Sequence, residues 1–449
     1  MSKHYTIRPT KFTLQFAPAH KATVHGGQLA VSAVLERFDL KRRVQAAAAL
    51  DPRTHTYKGF EPCVYVFGVL FSLTSGGCTL TAVEELDHDA ALKAYLGIKK
   101  FPDQSTVGEW LRQVGDAGCL AVRRITRDFV AWALAQAEPA RYQHSGRTEC
   151  FFDDTQVEVY GRTFEGAAYN YNGELALGWQ TLWVGPFLVD GVLGAPLPVG
   201  SELAGLLQKN AALWTKEQTY LYADSGSSSG ADLTEINTHF AEWSVSYNRW
   251  TNALERQARE LPEQAWSAPV ERKGRKGEVL HEQYAWLRHQ PEGCQTPQTF
   301  AVARSKAADE MFWRYHFIVT HAADGTPQAV CERHRLKGDR ERLFSEVLSD
   351  LDLHHPPCQA LAANRVYYAL ASLAYNVLQA LKLLWLPAHL QPQRVRTLIH
   401  KLLLVPVRLQ RHARRLAACF FAAEPWVQWW RRFLVEVLPR CGLAPPCRA

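Results

Sequence analysis

The segment Cys150-Phe-Phe-Asp-Asp-Thr-Gln-Val-Glu-Val159 separates a helical part of the chain from an α/β part. Within it Val157 and Val159 alternate with polar residues, which predicts a β-strand. Residues 1 to about 148 read as helical. After the segment, the pattern predicts an α/β fold with the order strand, strand, strand, helix, strand, helix, strand. The later strands are predicted at about 177–187, 188–193, 219–223 and 243–247, and the helices at about 201–214 and 231–242.

The helical N-terminal part contains an arrangement that is common in DNA-binding modules. Residues 80–96 form one helical pattern and residues 97–102 a turn. Ser105 is the expected N-cap of the next helix, with Val107 and Leu111 at helical spacing. Two helices joined by a short turn fit a helix-turn-helix unit, but helical bundles contain the same arrangement. The pattern alone therefore leaves open whether residues 1–148 bind DNA.

The second half of the chain predicts an insertion and a return to helix. Residues 250–330 read as a mostly β insertion with its clearest strand at 312–320, and helical patterns follow at 338–351 and 361–386. The predicted units are a helical DNA-binding domain (1–148), the first part of the core (149–249), the insertion (250–330), the second part of the core (331–390) and a C-terminal region (391–449).

Positive charge is concentrated in that C-terminal region. The chain of 449 residues has a net charge of +7, whereas residues 391–449 alone contain 11 basic and 2 acidic residues. Arg408, Arg411, Arg414 and Arg415 recur at helical spacing. We therefore expect a basic helical tail whose arginines contact DNA phosphates. The alternative is a basic face that is only solvated.

Cysteine use and hydropathy indicate the compartment. The ten cysteines lack the spacing of zinc ligands, so we expect reduced and mostly buried thiols. The most apolar stretch, 361–386, contains Asn364, Arg365, Asn376 and Lys382, which predicts a buried helix rather than a membrane span. The N-terminus lacks the apolar region of a secretory signal. We expect a cytoplasmic protein with no membrane partner.

Three acidic residues lie where α/β proteins place ligands. Asp153 is within the first strand, Asp224 at the end of the fourth, and Glu341 in the first turns of a later helix. Mg²⁺ prefers hard oxygen ligands, and phosphodiester chemistry uses two such ions about 4 Å apart. Each carboxylate alone is more often a turn former or a cap. Together they predict a metal-dependent site for phosphodiester chemistry.

Three segments carry these residues: Phe152-Asp-Asp-Thr155, Tyr222-Ala-Asp-Ser-Gly226 and His334-Arg-Leu-Lys-Gly-Asp-Arg-Glu341. Through them the chain resembles the DDE transposases of bacterial insertion sequences, in particular the group catalogued under insertion sequence 1380. The resemblance covers nearly the whole chain. Further matching segments are 75–77, 87–92, 101–111, 160–161, 165–167, 169–172, 363–364 and 371–374.

The resemblance implies a ribonuclease-H-like core with a β insertion between the second Asp and the Glu. Asp153, Asp224 and Glu341 would be catalytic and would hold two Mg²⁺ ions, with Mn²⁺ as a substitute; Asp154 and Asp339 are the weaker choices. The implied activity is cut-and-paste transposition, in which double-stranded DNA is cut at terminal inverted repeats and its 3′-OH ends are joined to target DNA. Because two DNA ends must be paired, a homodimer on DNA is implied, and the protein would be nucleoid-associated when bound.

The third segment departs from the wider superfamily, in which a Tyr, an Arg, the Glu and a distal Lys recur on one helix. Here these places hold His334, Lys337, Glu341 and Leu348. Lys337 remains able to hold a DNA phosphate as a point charge. Tyr222 stands where an Arg is usual before Ala-Asp-Ser-Gly.

Aromatic and basic residues are interleaved in the predicted insertion. Trp286 with Arg288, and Trp313 with Arg314, suit stacking on an unpaired or flipped DNA base. The alternative is a strand whose aromatics pack against their neighbours. Two other functions also fit the chain as a whole: a nuclease of the same fold without strand transfer, such as a resolvase, and a domesticated transposase that binds DNA without cutting it.

Overall fold

A computed structural model describes residues 19–161, 163–198, 200–248, 252–274, 277–322, 325–412, 415–421 and 426–437. Its N-terminal part is helical, as predicted. A two-residue strand, β1 (Ala22–Thr23), precedes the α-helices. The last helix of this part is kinked at Gly115, where φ is +48°. The helices are α1 (Gln28–Arg37), α2 (Leu40–Ala46), α3 (Pro62–Thr74), α4 (Thr81–His88), α5 (Ala90–Leu96) and α6 (Gln104–Gln136).

The N-cap of α6 is Asp103, so the assignment of Ser105 to that position is wrong. The Asp103 carboxylate accepts a hydrogen bond from the backbone N–H of Thr106 at 2.8 Å, and the Ser105 hydroxyl donates to it at 2.6 Å. Asp103 takes this position because its backbone is extended, which brings its carboxylate to the free N–H groups of the first turn. Val107 and Leu111 are buried, as their spacing predicts.

The α/β part begins with a long strand that contains the first acidic residue, and the predicted order of strands and helices is confirmed, with one short strand in addition. The turn between the second and third predicted strands lies at residues 185–186, where Gly185 has a positive φ of 54°. The elements are β2 (Thr148–Glu158), β3 (Ala168–Tyr169), β4 (Leu175–Val184), β5 (Phe187–Gly194), α7 (Leu203–Asn210), β6 (Thr219–Ala223), α8 (Gly230–His239) and β7 (Glu242–Tyr247).

The segment predicted as an insertion is mostly β, but its strands continue the main sheet. Its last strand pairs with β7, so the described strands of this segment belong to the main sheet. A helix precedes the strands. The elements are α9 (Asn252–Arg259), β8 (Val270–Lys273), β9 (Val279–His289), β10 (Gln298–Ala307) and β11 (Arg314–His321).

The result is one mixed sheet of ten strands, whose order is β3-β4-β2-β6-β7-β11-β10-β9-β8, with β5 paired to β4. Strand β2 pairs in parallel with β6, and β6 in parallel with β7. The other pairs are antiparallel. Asp153 of β2 and Asp224, which directly follows β6, therefore lie on neighbouring, parallel chain segments near the centre of the sheet.

The C-terminal part contributes two long helices that cover one face of the sheet. Trp183 of β4 contacts Phe344 and Tyr375, which lie on the two helices, with ring centroids 5.0 Å and 5.7 Å apart. Along the described chain, no helix is long and apolar enough to cross a membrane. The elements are α10 (Pro327–Asp350), α11 (Leu361–Ala380), α12 (Val395–Leu398), β12 (Val407–His412), β13 (Arg415–Phe420) and α13 (Trp426–Val437).

Helix α10 begins well before the predicted start at residue 338. Pro327 lies in its first turn, and the Thr326 hydroxyl accepts a hydrogen bond from the N–H of Ala329 at 3.1 Å. The prediction missed these first turns because their buried side includes His334 and Lys337, which interrupt the apolar period. Glu341 consequently lies in the middle of α10 and not in its first turns.

The prediction of helices for the basic residues around Arg408 is wrong. Residues 407–412 and 415–420 form a β-hairpin, and β12 also pairs with β1 near the N-terminus. Val407 and Leu409 are buried while Arg408 is exposed, which is the two-residue period of a strand. The arginines also recur at intervals of three to four residues, and that spacing concealed the strand period.

Seven cysteines of the described residues are free thiols, in agreement with the expectation of reduced thiols at these positions: Cys63, Cys78, Cys119, Cys150, Cys294, Cys331 and Cys358.

Candidate active site

Two acidic residues meet because their strands are parallel neighbours in register. Phe152 of β2 pairs with Ala223 of β6, so Asp153 and Asp224 are the next residues along the two strands. Strand β6 ends at Ala223, whereas β2 continues to Glu158. Asp153 is thus held within a strand, and Asp224 is at a strand end, where open α/β sheets bind ligands.

Both carboxylates contact the same ammonium group. Lys337 Nζ donates to Asp224 Oδ2 at 2.8 Å and lies 3.5 Å from Asp153 Oδ1. The Lys337 side chain is 7% exposed and that of Asp153 14%, whereas that of Asp224 is 54% exposed. The site therefore has a buried floor formed by Asp153 and Lys337 and an open side formed by Asp224.

At both Asp153 and Lys337, burial and the charges of the ion-pair partners shift the pKa in opposite senses. Burial raises the pKa of Asp153 to about 6, against the opposing effect of the Lys337 charge. Burial alone would lower the pKa of Lys337, but Asp153 and Asp224 outweigh it and raise the pKa above its ordinary value. At neutral pH the Asp153 carboxylate and the Lys337 ammonium therefore carry opposite charges.

Asp154 points away from this cluster. Gln156 Nε2 donates to its Oδ2 at 2.7 Å, and within the described residues its buried Oδ1 has no hydrogen-bond partner. Burial raises the pKa of Asp154 as well. Because successive strand residues face opposite sides of the sheet, only Asp153 shares a side with Asp224 and Lys337.

The third acidic position is described only by its backbone. Glu341 follows Lys337 by four residues, which is about one turn of α10. The side chains of Glu341 and of the weaker choice Asp339 lie outside the described part of the structure. Among the side chains that are described, no group of three or more His, Cys, Asp or Glu residues could hold a metal ion.

The described donors nevertheless fit a divalent cation. Asp153 and Asp224 supply hard carboxylate oxygens that already converge on one positive charge, which is the kind of donor Mg²⁺ requires. Glu341, one turn beyond Lys337 on α10, is the residue that would complete a set of three.

Residues behind the site fix α10 against the sheet, and the sequence analysis missed most of them. Arg340 forms an ion pair with buried Glu149 of β2, and Arg333 Nε donates to the Tyr222 hydroxyl at 3.1 Å. The Tyr222 hydroxyl in turn donates a hydrogen bond to Glu149 Oε1 at 3.3 Å. A possible signal was Glu149 itself, a charged residue that shares strand parity with Phe151 and Asp153.

His334 also helps to hold α10 against the sheet. Its Nδ1 and Nε2 lie 2.8 Å from the hydroxyls of Ser244 and Ser246 on β7. Burial lowers the pKa of His334 to about 4, so the ring is neutral at physiological pH. In this chain the position that holds a Tyr in the wider superfamily is thus occupied by a buried, packing histidine.

The aromatic and basic residues predicted to contact DNA divide into two kinds. On β9, Trp286 is 39% exposed and Arg288 is also exposed on the same side of the strand. Trp313 is half-buried, with the cations of Arg304 and Lys306 lying 4.5 Å and 4.8 Å from its ring centroid. Arg314 pairs with Glu310 at 2.8 Å. None of the contacts described for these four DNA candidates involves Asp153, Asp224 or Lys337.

The predicted tail contacts are only partly described. Arg408 is exposed on β12. The side chains of Arg411 and Arg415 on the hairpin, and the whole of Arg414, lie outside the described residues.

One family model, described as transposase DDE domain group 1, matches residues 10–440. The chain belongs to this DDE transposase family. The match includes all three acidic positions, Lys337 and the basic hairpin of the transposase. No curated protein matches the chain. Membership of the family agrees with the large mixed sheet and makes DNA the substrate of the transposase.

Proposed function

We propose that this transposase cuts DNA at terminal inverted repeats and joins the freed 3′-OH ends to target DNA. The observation that supports it is the convergence of Asp153 and Asp224 from neighbouring parallel strands on one cationic position. Membership of the insertion sequence 1380 group and cut-and-paste transposition are parts of the same proposal.

In this proposal Asp153, Asp224 and Glu341 hold two Mg²⁺ ions, or Mn²⁺ in their place. Two bound ions would activate the nucleophile, first water and then a 3′-OH, and would stabilise the leaving oxygen of the phosphodiester. Asp153 supplies a rigid ligand on the buried side of the site. Exposed Asp224 faces the side from which a DNA strand can approach.

The partner is double-stranded DNA. The transposase binds it as a homodimer, because two DNA ends have to be paired. Exposed Trp286 and Arg288 are the better candidates for contact with a base and its backbone, since Trp313 and Arg314 already have partners. The helices of residues 1–148 and the basic hairpin at Arg408 are the candidate surfaces for the rest of the DNA.

Two other functions remain as alternatives. A nuclease of the same fold would cut terminal-repeat DNA without joining it to a target plasmid, so a strand-transfer assay with a free 3′-OH end separates the two. A domesticated protein would bind the DNA and cut nothing. The chain has an acidic residue at each of the three proposed catalytic positions, 153, 224 and 341, which favours an active enzyme.

The test of the active site is Asp224→Asn, which keeps the shape of the side chain but removes its charge. We expect the variant to bind terminal-repeat DNA within about twofold of wild type and to cleave it more than about 100-fold more slowly, a larger effect than loss of an outer-sphere partner causes. Cleavage is measured on labelled terminal-repeat DNA with Mg²⁺ or Mn²⁺.

A matched control is Asp309→Asn, at an exposed turn of the insertion. It removes the same charge away from the site and should leave both binding and cleavage unchanged. Near wild-type cleavage by Asp224→Asn would show that Asp224 is not a ligand and would refute the assignment of the active site.

A further inference from the structure

Lys337 is a buried ammonium whose described ion-pair partners are both proposed metal ligands. Its Nζ lies 2.8 Å from Asp224 Oδ2 and 3.5 Å from Asp153 Oδ1, and the residue is 5% exposed. A buried charge is stable only where it is paired, and two carboxylates this close together repel each other unless a cation lies between them. The lysine and the two carboxylates thus stabilise one another in the absence of a divalent ion.

We propose that Lys337 is an internal counter-ion that competes with the divalent metal for Asp153 and Asp224. This inference rests on the proposed function, because it takes these two carboxylates as the metal ligands. The metal would need the same oxygens that Lys337 contacts, and a positive charge within 3.5 Å of them opposes the arrival of a second cation. Metal-ion affinity in the absence of DNA is therefore kept low by Lys337.

The competition also links metal binding to DNA binding. When DNA enters the site, its phosphates offer the lysine another anionic partner, and the flexible four-carbon stem allows the ammonium to change partners. A lysine that has moved to a phosphate no longer opposes the metal. By linkage, DNA should then raise the metal affinity of the protein, and metal should raise its DNA affinity by the same factor.

The experiment measures Mn²⁺ binding to the full chain without DNA, by titration calorimetry, for wild type and Lys337→Met. We expect the variant to bind Mn²⁺ at least about tenfold more tightly, the lower end of what one nearby charge does to an ionic equilibrium. The titration is then repeated with cleavage-resistant terminal-repeat DNA. The difference in Mn²⁺ affinity between wild type and variant should become smaller, because Lys337 of the wild type then pairs with a DNA phosphate.

Lys382→Met is the matched control, because Lys382 is equally buried but pairs with Glu346 of α10, 3.9 Å away. Lys382 lies in the π-helix Leu381–Trp385 that continues α11. The Mn²⁺ affinity of this control should equal that of wild type. Lys337→Arg keeps the positive charge and should bind Mn²⁺ as weakly as wild type does. Thermal melts should show Lys337→Met destabilised without metal and recovering when Mn²⁺ is added.

The outcomes separate this inference from the proposed function. If wild type binds Mn²⁺ and Lys337→Met binds it equally or less tightly, Lys337 is not a competitor and the inference is overturned, while the metal site stands. If neither protein binds Mn²⁺ with or without DNA, the metal site itself is wrong and both proposals fall.

Discussion

Adjacent carboxylates on β2 have different surroundings because the strand alternates between the two faces of the sheet. Asp153 shares its face with Phe151 and Glu149, which α10 covers, and meets Lys337 there. Asp154 lies on the opposite face and is bonded to Gln156. The resemblance favours Asp153 over Asp154 as the metal ligand, and Asp153 is the residue of this pair that shares a side of the sheet with Lys337.

We predict that Asp153→Ala abolishes cleavage and that Asp154→Ala retains it. The first change removes a ligand from the buried floor of the site, so cleavage should fall by more than about 100-fold. The second removes a carboxylate whose described partner is a glutamine two residues away. Both variants are assayed on terminal-repeat DNA, and circular dichroism establishes that they are folded. The reverse pattern of activities would mean that the other face of β2 carries the chemistry.

At the scale of elements, α10 is the helix on which the site depends. It is tied to β2 through the Arg340–Glu149 ion pair, to β6 through Arg333 and Tyr222, and to β7 through His334. These contacts join polar groups in buried positions. A buried polar group destabilises the fold when its hydrogen-bond or ion-pair partner is removed. The position of Glu341 along the sheet is thus set by contacts made by its neighbours on the helix.

The pH dependence of stability should report the docking of His334. Its pKa is about 4 in the folded protein and near 6.5 when unfolded, so the unfolded state binds the extra proton between these values. The free energy of unfolding should therefore fall as the pH drops from 6.5 to 4, by up to about 3 kcal/mol from this residue. His334→Gln keeps hydrogen-bonding groups for Ser244 and Ser246 without titrating.

Urea unfolding of wild type and His334→Gln at several pH values measures this contribution as the part of the pH dependence that the variant lacks. His355→Gln, at a histidine that is 69% exposed, is the control and should leave the curve unchanged. Identical pH dependence of wild type and His334→Gln would show that the ring is not buried as described.

At the scale of the whole molecule, two sheets connect parts that are distant in sequence. The main sheet extends from the core through β11 into the segment predicted as an insertion, so both belong to one hydrogen-bonded layer. The smaller sheet joins β1 to β12 and β13, which brings residues 22–23 beside the basic C-terminal hairpin. The proposed DNA surfaces at the two ends of the chain are thus structurally connected.

The basic hairpin predicts a salt effect on DNA binding. If Arg408, Arg411, Arg414 and Arg415 contact phosphates, replacing them by Gln should flatten the plot of log affinity against log salt by about 0.9 per lost contact, up to roughly four contacts. The ratio of affinities for terminal-repeat and random DNA should change little, because phosphate contacts carry no direct sequence information. Fluorescence anisotropy across a salt series measures both quantities.

An unchanged salt slope in a folded quadruple variant would leave the hairpin as a solvated surface or a subunit contact. The single variant Arg408→Gln, at the arginine of the four whose exposure is described, should show about a quarter of the full effect if the four act alike.

The sequence by itself determined the class of the fold, most of the core strands and the family. These predictions rest on local signals: the two-residue period of a strand, the position of a residue at a strand end, and the segments around Asp153, Asp224 and Glu341. Such signals can be recognised in the sequence because the side chains that face the core recur at a regular spacing. For the same reason the strand around Arg408, whose arginines recur at intervals of three to four residues, was interpreted as a helix.

Only the tertiary structure decided which groups meet. The pairing of β7 with β11, the ion pair of Arg340 with Glu149 and the position of Lys337 between Asp153 and Asp224 join residues far apart in sequence. No periodic pattern encodes such meetings, because they result from the register of parallel strands and the packing of a helix across them. The chemistry proposed for this transposase depends on those contacts, because they bring Asp153 and Asp224 together on one side of the sheet.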